Sequence, residues 1–282
     1  MPDMTNHAQD RSTILVLGAT GKTGRRIVER LQARAVPTRA GSRTAQPPFD
    51  WADRDTWAPA LSGVAAVYVT YYPDLAVPGA PEAVGELARL AGEQGVQRLV
   101  LLSGRGEEEA QRSEEVVKEA GIDWTILRSS WFDQNFSEGF LIDSVLEGAV
   151  ALPVGGVREP FVHADDLADI AVAALTEDGH AGQLYEVTGP RLLSYADAVA
   201  EIAAATGRDV RFETISMNEF EGGLAQARLS DDEAWLVKYL FSEVMDGRNE
   251  SLTDGVQRAL GREPRDFADY TREAAASGVW NG

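Results

Sequence analysis

Residues 14–24 read Ile14-Leu15-Val16-Leu17-Gly18-Ala19-Thr20-Gly21-Lys22-Thr23-Gly24. A short apolar run ends in regularly spaced glycines, and an amphipathic stretch from Arg25 to Leu31 follows. That order predicts a strand, a tight turn and a helix. Such a turn lets a backbone approach a pyrophosphate and aims a helix N-terminus at it. Gly18 would make the turn, Gly21 would let phosphates come close, and Gly24 would let the helix pack against the sheet. The spacing is G-x-x-G-x-x-G, not the G-x-G-x-x-G of many dehydrogenases. It is not a phosphate loop either, because no G-x-x-x-x-G frame precedes Lys22.

The next segment bears on which dinucleotide is expected. Val36–Ala40 reads as a second strand that runs into Gly41-Ser42-Arg43. A site for NAD usually carries an acidic residue here, on the ribose 2′-hydroxyl. None stands between Val36 and Gln46; Arg39 and Arg43 are there instead. A guanidinium and a hydroxyl suit a 2′-phosphate, so the expected cofactor is NADP(H), read by Ser42 and Arg43. The plain alternative for Arg43 is a solvated surface arginine.

Composition narrows the function classes. The chain has 282 residues, enough to bury a full core as one large domain or as a nucleotide domain with a smaller lobe. With 26 basic and 45 acidic residues the formal charge is -19, a field that repels nucleic acid and anionic membranes. There is no cysteine, hence no disulfide, thiolate metal site or cysteine nucleophile. The three histidines, at 7, 163 and 180, lack zinc-ligand spacing, and no metal is expected. No apolar run reaches the roughly 20 residues of a membrane span. Residues 1–12 read as a flexible polar tail without a signal-peptide core, and the expectation is a cytoplasmic protein.

Strand and helix patterns alternate from the start. Strands are expected at Ile14–Leu17, Val36–Ala40, Phe49–Trp51, Ala65–Thr70, Arg98–Ser103 and Trp124–Arg128. Helices are expected at Lys22–Ala33, Arg54–Leu61, Glu82–Gln94 and Glu107–Ala120. Continuous apolar strands such as Leu99-Val100-Leu101-Leu102 indicate a sheet buried on both faces. The alternation indicates parallel strands with right-handed crossovers, a doubly wound α/β fold of Rossmann type. Residues 13–130 are read as the NADP-binding core. Residues 131–282 are read as a smaller substrate lobe folded onto it, with segments such as 160–190 returning to the sheet. In that part, helices are expected at Trp131–Leu146, from Asp165 to Leu175 and at Tyr195–Thr206, capped by Ser194. Ser216–Gly247 reads as mostly helical, and Thr253–Ala276 as two short helices. Strands are expected at Leu184–Val187 and Val210–Thr214, with an extended piece at Pro160–His163.

The glycine turn, Leu99–Ser103, the segment from Trp124 to Asn135 and the helix from Asp165 to Ile170 resemble the NmrA-like, atypical short-chain dehydrogenase/reductase family. Phe49-Asp50-Trp51-Ala52-Asp53-Arg54-Asp55-Thr56-Trp57 and Thr188-Gly189-Pro190 are similar to the ergot-alkaloid reductase subgroup of the agroclavine and festuclavine dehydrogenase type. The resemblance runs over roughly residues 13–280, with late matches at Gly261-Arg262 and Trp280. It implies that Gly18, Thr20, Gly21, Lys22, Thr23 and Gly24 line the pyrophosphate, with Ser42 and Arg43 on the adenosine phosphate. It implies Asp50 and Trp51 beside adenine, and Thr70, Tyr71 and Tyr72 where the nicotinamide ribose passes. Ser103 would end its strand at the ligand-binding edge of the sheet. Trp131, Phe132 and Asn135 would border the nicotinamide and the substrate.

Ordinary short-chain dehydrogenases use a Tyr-x-x-x-Lys helix as acid and base. The corresponding segment here, Gly106–Lys118, has no tyrosine, and Glu114 stands four residues before Lys118. Candidates for a catalytic group are Ser103, His163 and Lys118. Each has a plain structural reading: a strand end, a hydrogen-bonded structural histidine and a solvated helix lysine. Trp131, Phe132 and Phe136 could form an aromatic wall for a flat or cationic substrate, or core packing. Asp165 and Asp166 read as helix caps, and Glu107-Glu108-Glu109 as a solvent-facing acidic run. Two functions remain. One is an NADPH-dependent reductase of a small secondary-metabolic substrate, an imine, iminium or enone, in which orientation and hydride suffice. The other is an NADP-binding redox sensor that regulates a protein partner.

Overall fold

The computed structural model describes residues 13–226 and 229–281; the tail expected over residues 1–12 lies outside the described residues. The chain divides into two compact units. One lies within Met1–Arg128, with Leu167–Tyr185 and Arg258–Leu260; the other comprises Ser129–Asp166, Glu186–Gln257 and Gly261–Gly282.

The first unit is built on β1 (Thr13–Leu17), α1 (Lys22–Ala33), β2 (Thr38–Gly41), α2 (Trp57–Leu61), β3 (Val64–Val69), α3 (Ala80–Glu93), β4 (Arg98–Gly104), α4 (Glu108–Lys118) and β5 (Asp123–Ser129). With β8 (Gln183–Val187) these strands form a six-stranded sheet in the order β2-β1-β3-β4-β5-β8. The β1–β2, β1–β3 and β3–β4 pairs are parallel. Leu15, Val16, Leu17, Val67, Tyr68, Leu99, Val100 and Leu101 are all buried, as expected of strands covered on both faces. The chain steps from β1 to β2 on one side and then to β3 on the other. The carboxyl ends of β1 and β3 are therefore the topological switch point, where ligands bind in sheets of this class.

The strand expected at Phe49–Trp51 does not form. Asp50 makes one isolated bridge to Asp53, and the segment is a corner held by side chains. The Asp50 carbonyl accepts from Trp57 Nε1 at 2.8 Å, and the Asp50 N–H donates to Thr56 Oγ1 at 3.0 Å. These bonds replace the ladder that a strand would need.

The second unit contains α5 (Asn135–Glu138), α6 (Ile142–Glu147), β6 (Ala149–Leu152) and β7 (Arg158–Glu159). It also contains β9 (Leu193–Ser194), α8 (Tyr195–Thr206), β10 (Arg211–Thr214), α9 (Met217–Leu224), α10 (Asp231–Tyr239) and α12 (Phe267–Ser277). Helices α7 (Ala164–Thr176) and α11 (Gly255–Leu260) span the division of the chain. The single helix expected over Trp131–Leu146 is two short ones. Its first residues are drawn into extended pairing, with Val162 N–H on the Trp131 carbonyl at 2.8 Å and Asp133 N–H on the Val162 carbonyl at 2.9 Å. Gly139, in extended conformation, then ends α5. Strand β6 was not legible as a strand; it pairs in parallel with β10, Ala149 opposite Arg211 and Leu152 opposite Thr214.

Helix starts follow the sequence closely. Ser194, Ser216 and Ser230 each form a capping box with the acid three residues on. The core of this unit gathers Phe136, Phe161, Tyr195, Phe267 and Trp280, and Trp280 Nε1 donates to the Phe136 carbonyl at 2.8 Å. Among the described residues, no helix is long and apolar enough to cross a membrane, and no group of His, Cys, Asp and Glu is arranged to hold a metal ion.

Candidate functional site

The glycine turn follows β1 at the switch point. Gly18 has φ +62°, the left-handed region that a side chain disfavours. A Cβ on it would lie 2.5 Å from Thr70 Cγ2, so the turn after β1 and the end of β3 meet at a glycine. Gly21 N–H donates to the Gly18 carbonyl at 2.8 Å, and Gly21 starts α1 in extended conformation with no side-chain cap. A Cβ on Gly24 would overlap the carbonyl oxygen of Gly18, so α1 lies directly against the turn. Thr20 and Gly21 are exposed and Lys22 is half-buried; this is an open backbone cradle at a helix N-terminus, which fits a pyrophosphate. Thr23 faces inward: its hydroxyl accepts from Tyr68 at 2.9 Å.

At the end of β2 the two arginines differ. Arg39 donates from Nη1 to the carbonyls of Ala60 and Ser62, each at 2.7 Å, and is a structural residue. Arg43 is exposed, beside a half-buried Ser42 whose hydroxyl lies 3.4 Å from that of Thr44. The Asp50 carboxylate holds its own turn, accepting from Ala52 N–H at 3.0 Å. Trp51 donates from Nε1 to the Thr70 carbonyl at 3.0 Å and packs on Tyr71, with ring centroids 4.8 Å apart. Thr70 and Tyr71 are half-buried, while Tyr72 is 67% exposed. The structure thus brings Gly18, Trp51, Thr70 and Tyr71 together at the ends of β1 and β3.

Ser103 is buried near the end of β4. Its hydroxyl donates to Glu114 Oε1 at 2.7 Å. Glu114, fully buried on α4, also receives Arg128 Nε at 2.8 Å and Nη2 at 2.5 Å. The Ser103 proton is therefore committed inward, to a carboxylate already neutralised by a guanidinium fork. The sequence marks Glu114 only as the residue standing where a tyrosine is absent; its half-buried partner Arg128 was missed. Lys118 is bound to Glu115 at 2.7 Å and lies over the Trp124 ring at 5.6 Å, a structural arrangement. Glu107 departs from the solvent-facing run expected of it: it is buried, with its carboxyl folded onto Gly104.

In the second unit, Trp131 and Phe132 are half-buried. Trp131 contacts Phe241 at 5.4 Å and Phe140 at 6.3 Å between centroids, and Phe241 contacts Phe220 at 5.0 Å. Phe140 is 49% exposed, so this cluster reaches solvent. Phe136 lies deeper in the same core, fully buried against Phe161 and Phe267 and joined to Trp131 through Tyr195. Asn135 opens α5 half-buried.

His163 is held on both sides. Nδ1 accepts from Asp165 N–H at 3.1 Å. Nε2 lies 3.1 Å from Gln134 Nε2, and the orientation of that amide is set by Gln134 Oε1 accepting from Ala164 N–H at 2.8 Å. Burial pushes the His163 pKa down, which disfavours the imidazolium. His163, a catalytic candidate of the sequence, sits in the hydrogen-bonded setting of its structural reading. Asp166, expected as a cap, is instead a fully buried clamp: it takes Arg262 at 2.7 Å, Arg265 N–H at 2.8 Å and the Arg265 guanidinium. Asp133 is fully buried with both oxygens unbonded, and desolvation, with the negative fields of Asp166 and Asp266, holds its carboxyl well above the usual carboxylate range.

The chain matches the family model described as NAD(P)H-binding over residues 18–178. It is 31% identical over 283 residues to festuclavine synthase II of Penicillium roqueforti, covering 91% of this chain and 96% of that protein. It is 27% identical over 286 residues to prestalk A differentiation protein A of Dictyostelium discoideum, covering 95% and 94%. In fold it is similar to the triphenylmethane reductase of Citrobacter sp. crystallised with NADP(H), with a TM-score of 0.74 and 18% identity over 93% of this chain and 99% of that one. The glycine cradle, the parallel sheet and these relationships have one reading: the chain belongs to the NAD(P)H-binding, NmrA-like family of oxidoreductases.

Proposed function

We propose that the protein is an NADP(H)-dependent reductase of a small secondary-metabolic substrate carrying an imine, iminium or enone. The observation that carries this reading is Glu114. At the position where a tyrosine acid would stand, a buried carboxylate accepts hydrogen bonds from the Ser103 hydroxyl and the Arg128 fork. A helix without the phenol of the Tyr-x-x-x-Lys pair suits an electrophile that is already polarised or cationic, for which orientation of the reactants provides most of the rate.

The N–H groups at the start of α1 and the glycine backbone would hold the pyrophosphate, and Ser42 and Arg43 the adenosine phosphate. Thr70, Tyr71 and Tyr72 would support the nicotinamide ribose, with Asp50 and Trp51 on the adenine side. Bound NADPH supplies the hydride. Ser103 keeps its lone pairs available as acceptors while its proton faces Glu114. Trp131, Phe132 and Asn135 are assigned to the substrate; an aromatic surface such as that around Trp131 suits a flat or cationic ring.

The test is NADPH oxidation by the pure protein with a panel of cyclic imines, iminium ions and enones. Turnover with one class supports the reading and names the electrophile. Tight NADPH binding with no oxidation across the panel overturns it in favour of a cofactor sensor. A kcat that survives in Ser103→Ala but falls in Trp131→Ala would support the division between a structural hydroxyl and a substrate-facing ring.

A further inference from the structure

The charge of the chain is unevenly spread. Residues 1–49 hold eight basic and three acidic residues, whereas the remainder holds 18 basic and 42 acidic ones. Of the eight, Lys22, Arg25, Arg26, Arg30 and Arg34 lie on or directly after α1, and Arg39 and Arg43 on or just past β2. In a chain of formal charge -19, the segment that builds the glycine cradle therefore has the opposite sign.

The two halves of α1 use their cations differently. Arg30 Nε binds Asp169 on α7 at 2.7 Å, and Arg34 binds Glu177 just after that helix at 3.3 Å, so the second half is tied to acids. Lys22, Arg25 and Arg26, spaced i, i+3 and i+4, share one face of the first turns and are half-buried. Helical side chains lean toward the N-terminus of their helix, so those of Arg25 and Arg26 cover the turn that precedes them. Arg26 Nη1 donates to the Lys22 carbonyl at 2.8 Å, which brings its guanidinium back to the helix start. The positive end of the helix dipole disfavours cations there. Helices α3, α4, α8, α9 and α10 each place an acid in the first turn, and α1 places none. An anion seated in the cradle would turn this repulsion into attraction.

We propose that Lys22, Arg25, Arg26 and Arg43 form an electrostatic guide that draws the anionic dinucleotide onto the cradle, with Arg25 and Arg26 acting through their field rather than through contact. This role rests on the NADP(H) reading of the cradle, not on the choice of electrophile. A polyanion approaching a chain of charge -19 meets repulsion at long range. A local excess of positive charge reverses it, and steering of this kind raises association rates by about 10- to 1,000-fold. Such a field reaches about 10 Å at 0.1 M salt and only about 3 Å at 1 M, so its effect fades as salt is added. Arg43 adds a contact with the adenosine phosphate, and a contact shows itself in dissociation instead.

The experiment uses the full chain with NADPH as probe, mixed by stopped flow and followed by energy transfer from tryptophan to the nicotinamide. Association and dissociation rates are measured at about 0.01, 0.1 and 1 M salt, where the screening length falls from about 30 to about 3 Å. The proteins are wild type, Arg25→Gln, Arg26→Gln, the double Gln variant and the double Lys variant, with folding followed by circular dichroism. Wild-type association should slow by about tenfold or more across the salt series. The double Gln variant should associate about tenfold more slowly at the lowest salt and converge on wild type at the highest, with dissociation changed by less than about twofold. The double Lys variant, which keeps the charge, should restore association. The single Gln variants carry the test if the double variant does not fold. Gln variants that associate as fast as wild type, with the same salt dependence, overturn the proposal. A loss confined to dissociation, or a double Lys variant as slow as the double Gln variant, also overturns it, because either marks a contact. If wild type does not associate with NADPH at any salt, the cofactor reading falls and the proposal with it; unaltered rates in the Gln variants remove the proposal alone.

Discussion

Ser103 donates a hydrogen bond from its hydroxyl to Glu114 Oε1 at 2.7 Å, and Arg128 holds the same carboxylate from the neighbouring strand. The serine at the ligand edge of the sheet is thus oriented from behind. A neutral side chain at 114 would leave the half-buried Arg128 without its counter-charge.

Glu114→Ala should be among the most destabilising single changes in the first unit. Breaking one side of a buried pair typically costs about 3–5 kcal/mol. Ser103→Ala removes one hydrogen bond and should cost about 1 kcal/mol. Urea unfolding of both variants checks this; equal losses would mean that Arg128 finds another acceptor.

Gly24→Ala sets a helix gain of about 1 kcal/mol against backbone overlap with Gly18. The obstructing atom is a main-chain oxygen, which cannot swing aside, so overpacking of about 1–3 kcal/mol should win. The expected result is a lower Tm and NADPH affinity reduced by about tenfold or more, since the displaced backbone is the phosphate cradle itself. Titration beside Gly24→Ser tests whether the loss follows side-chain presence.

Arg43→Ala should lower NADPH affinity by about tenfold and leave NADH affinity nearly unchanged. Arg39→Ala should act differently. It frees the Ala60 and Ser62 carbonyls, and should cost about 1–3 kcal/mol of stability with no change in preference between the two nucleotides. Side-by-side titration separates the reader from the strut.

Asp133 makes the second unit sensitive to alkali. Its folded pKa is raised above the unfolded value of about 3.9, so the native state keeps a proton that the unfolded chain has released. The stability present below the unfolded pKa is therefore lost as pH rises through the folded pKa, at up to about 1.4 kcal/mol per pH unit. Asp133→Asn should flatten that limb of a Tm-against-pH curve; an unchanged slope would place the titrating group elsewhere.

Much of this was legible in order along the chain. Continuous apolar runs mark β1, β3 and β4, because a strand covered on both faces has no polar side to show. The G-x-x-G-x-x-G turn marks the cradle, since close backbone approach is a property of residue type at fixed spacing. Ser194 marks the start of α8 for the same local reason. Local rules misled where distant partners intervene. Trp131 to Asp133 read as helix until Val162 paired with them, and Phe49–Trp51 read as strand until Trp57 and Thr56 took the polar groups of Asp50.

The sequence by itself determined the doubly wound α/β core, the glycine cradle and the charge at residue 43. These depend on period, spacing and residue type, which are read within a few residues. Only the tertiary structure decided the fates of the charged groups. Arg39 became a strut, Glu114 a partner for Ser103 and Arg128, and Asp166 a clamp for Arg262 and Arg265. The physical reason is that a buried charge is settled by its counter-group, and here the counter-group lies between 14 and 99 positions away along the chain for the Arg128 and Arg265 pairs.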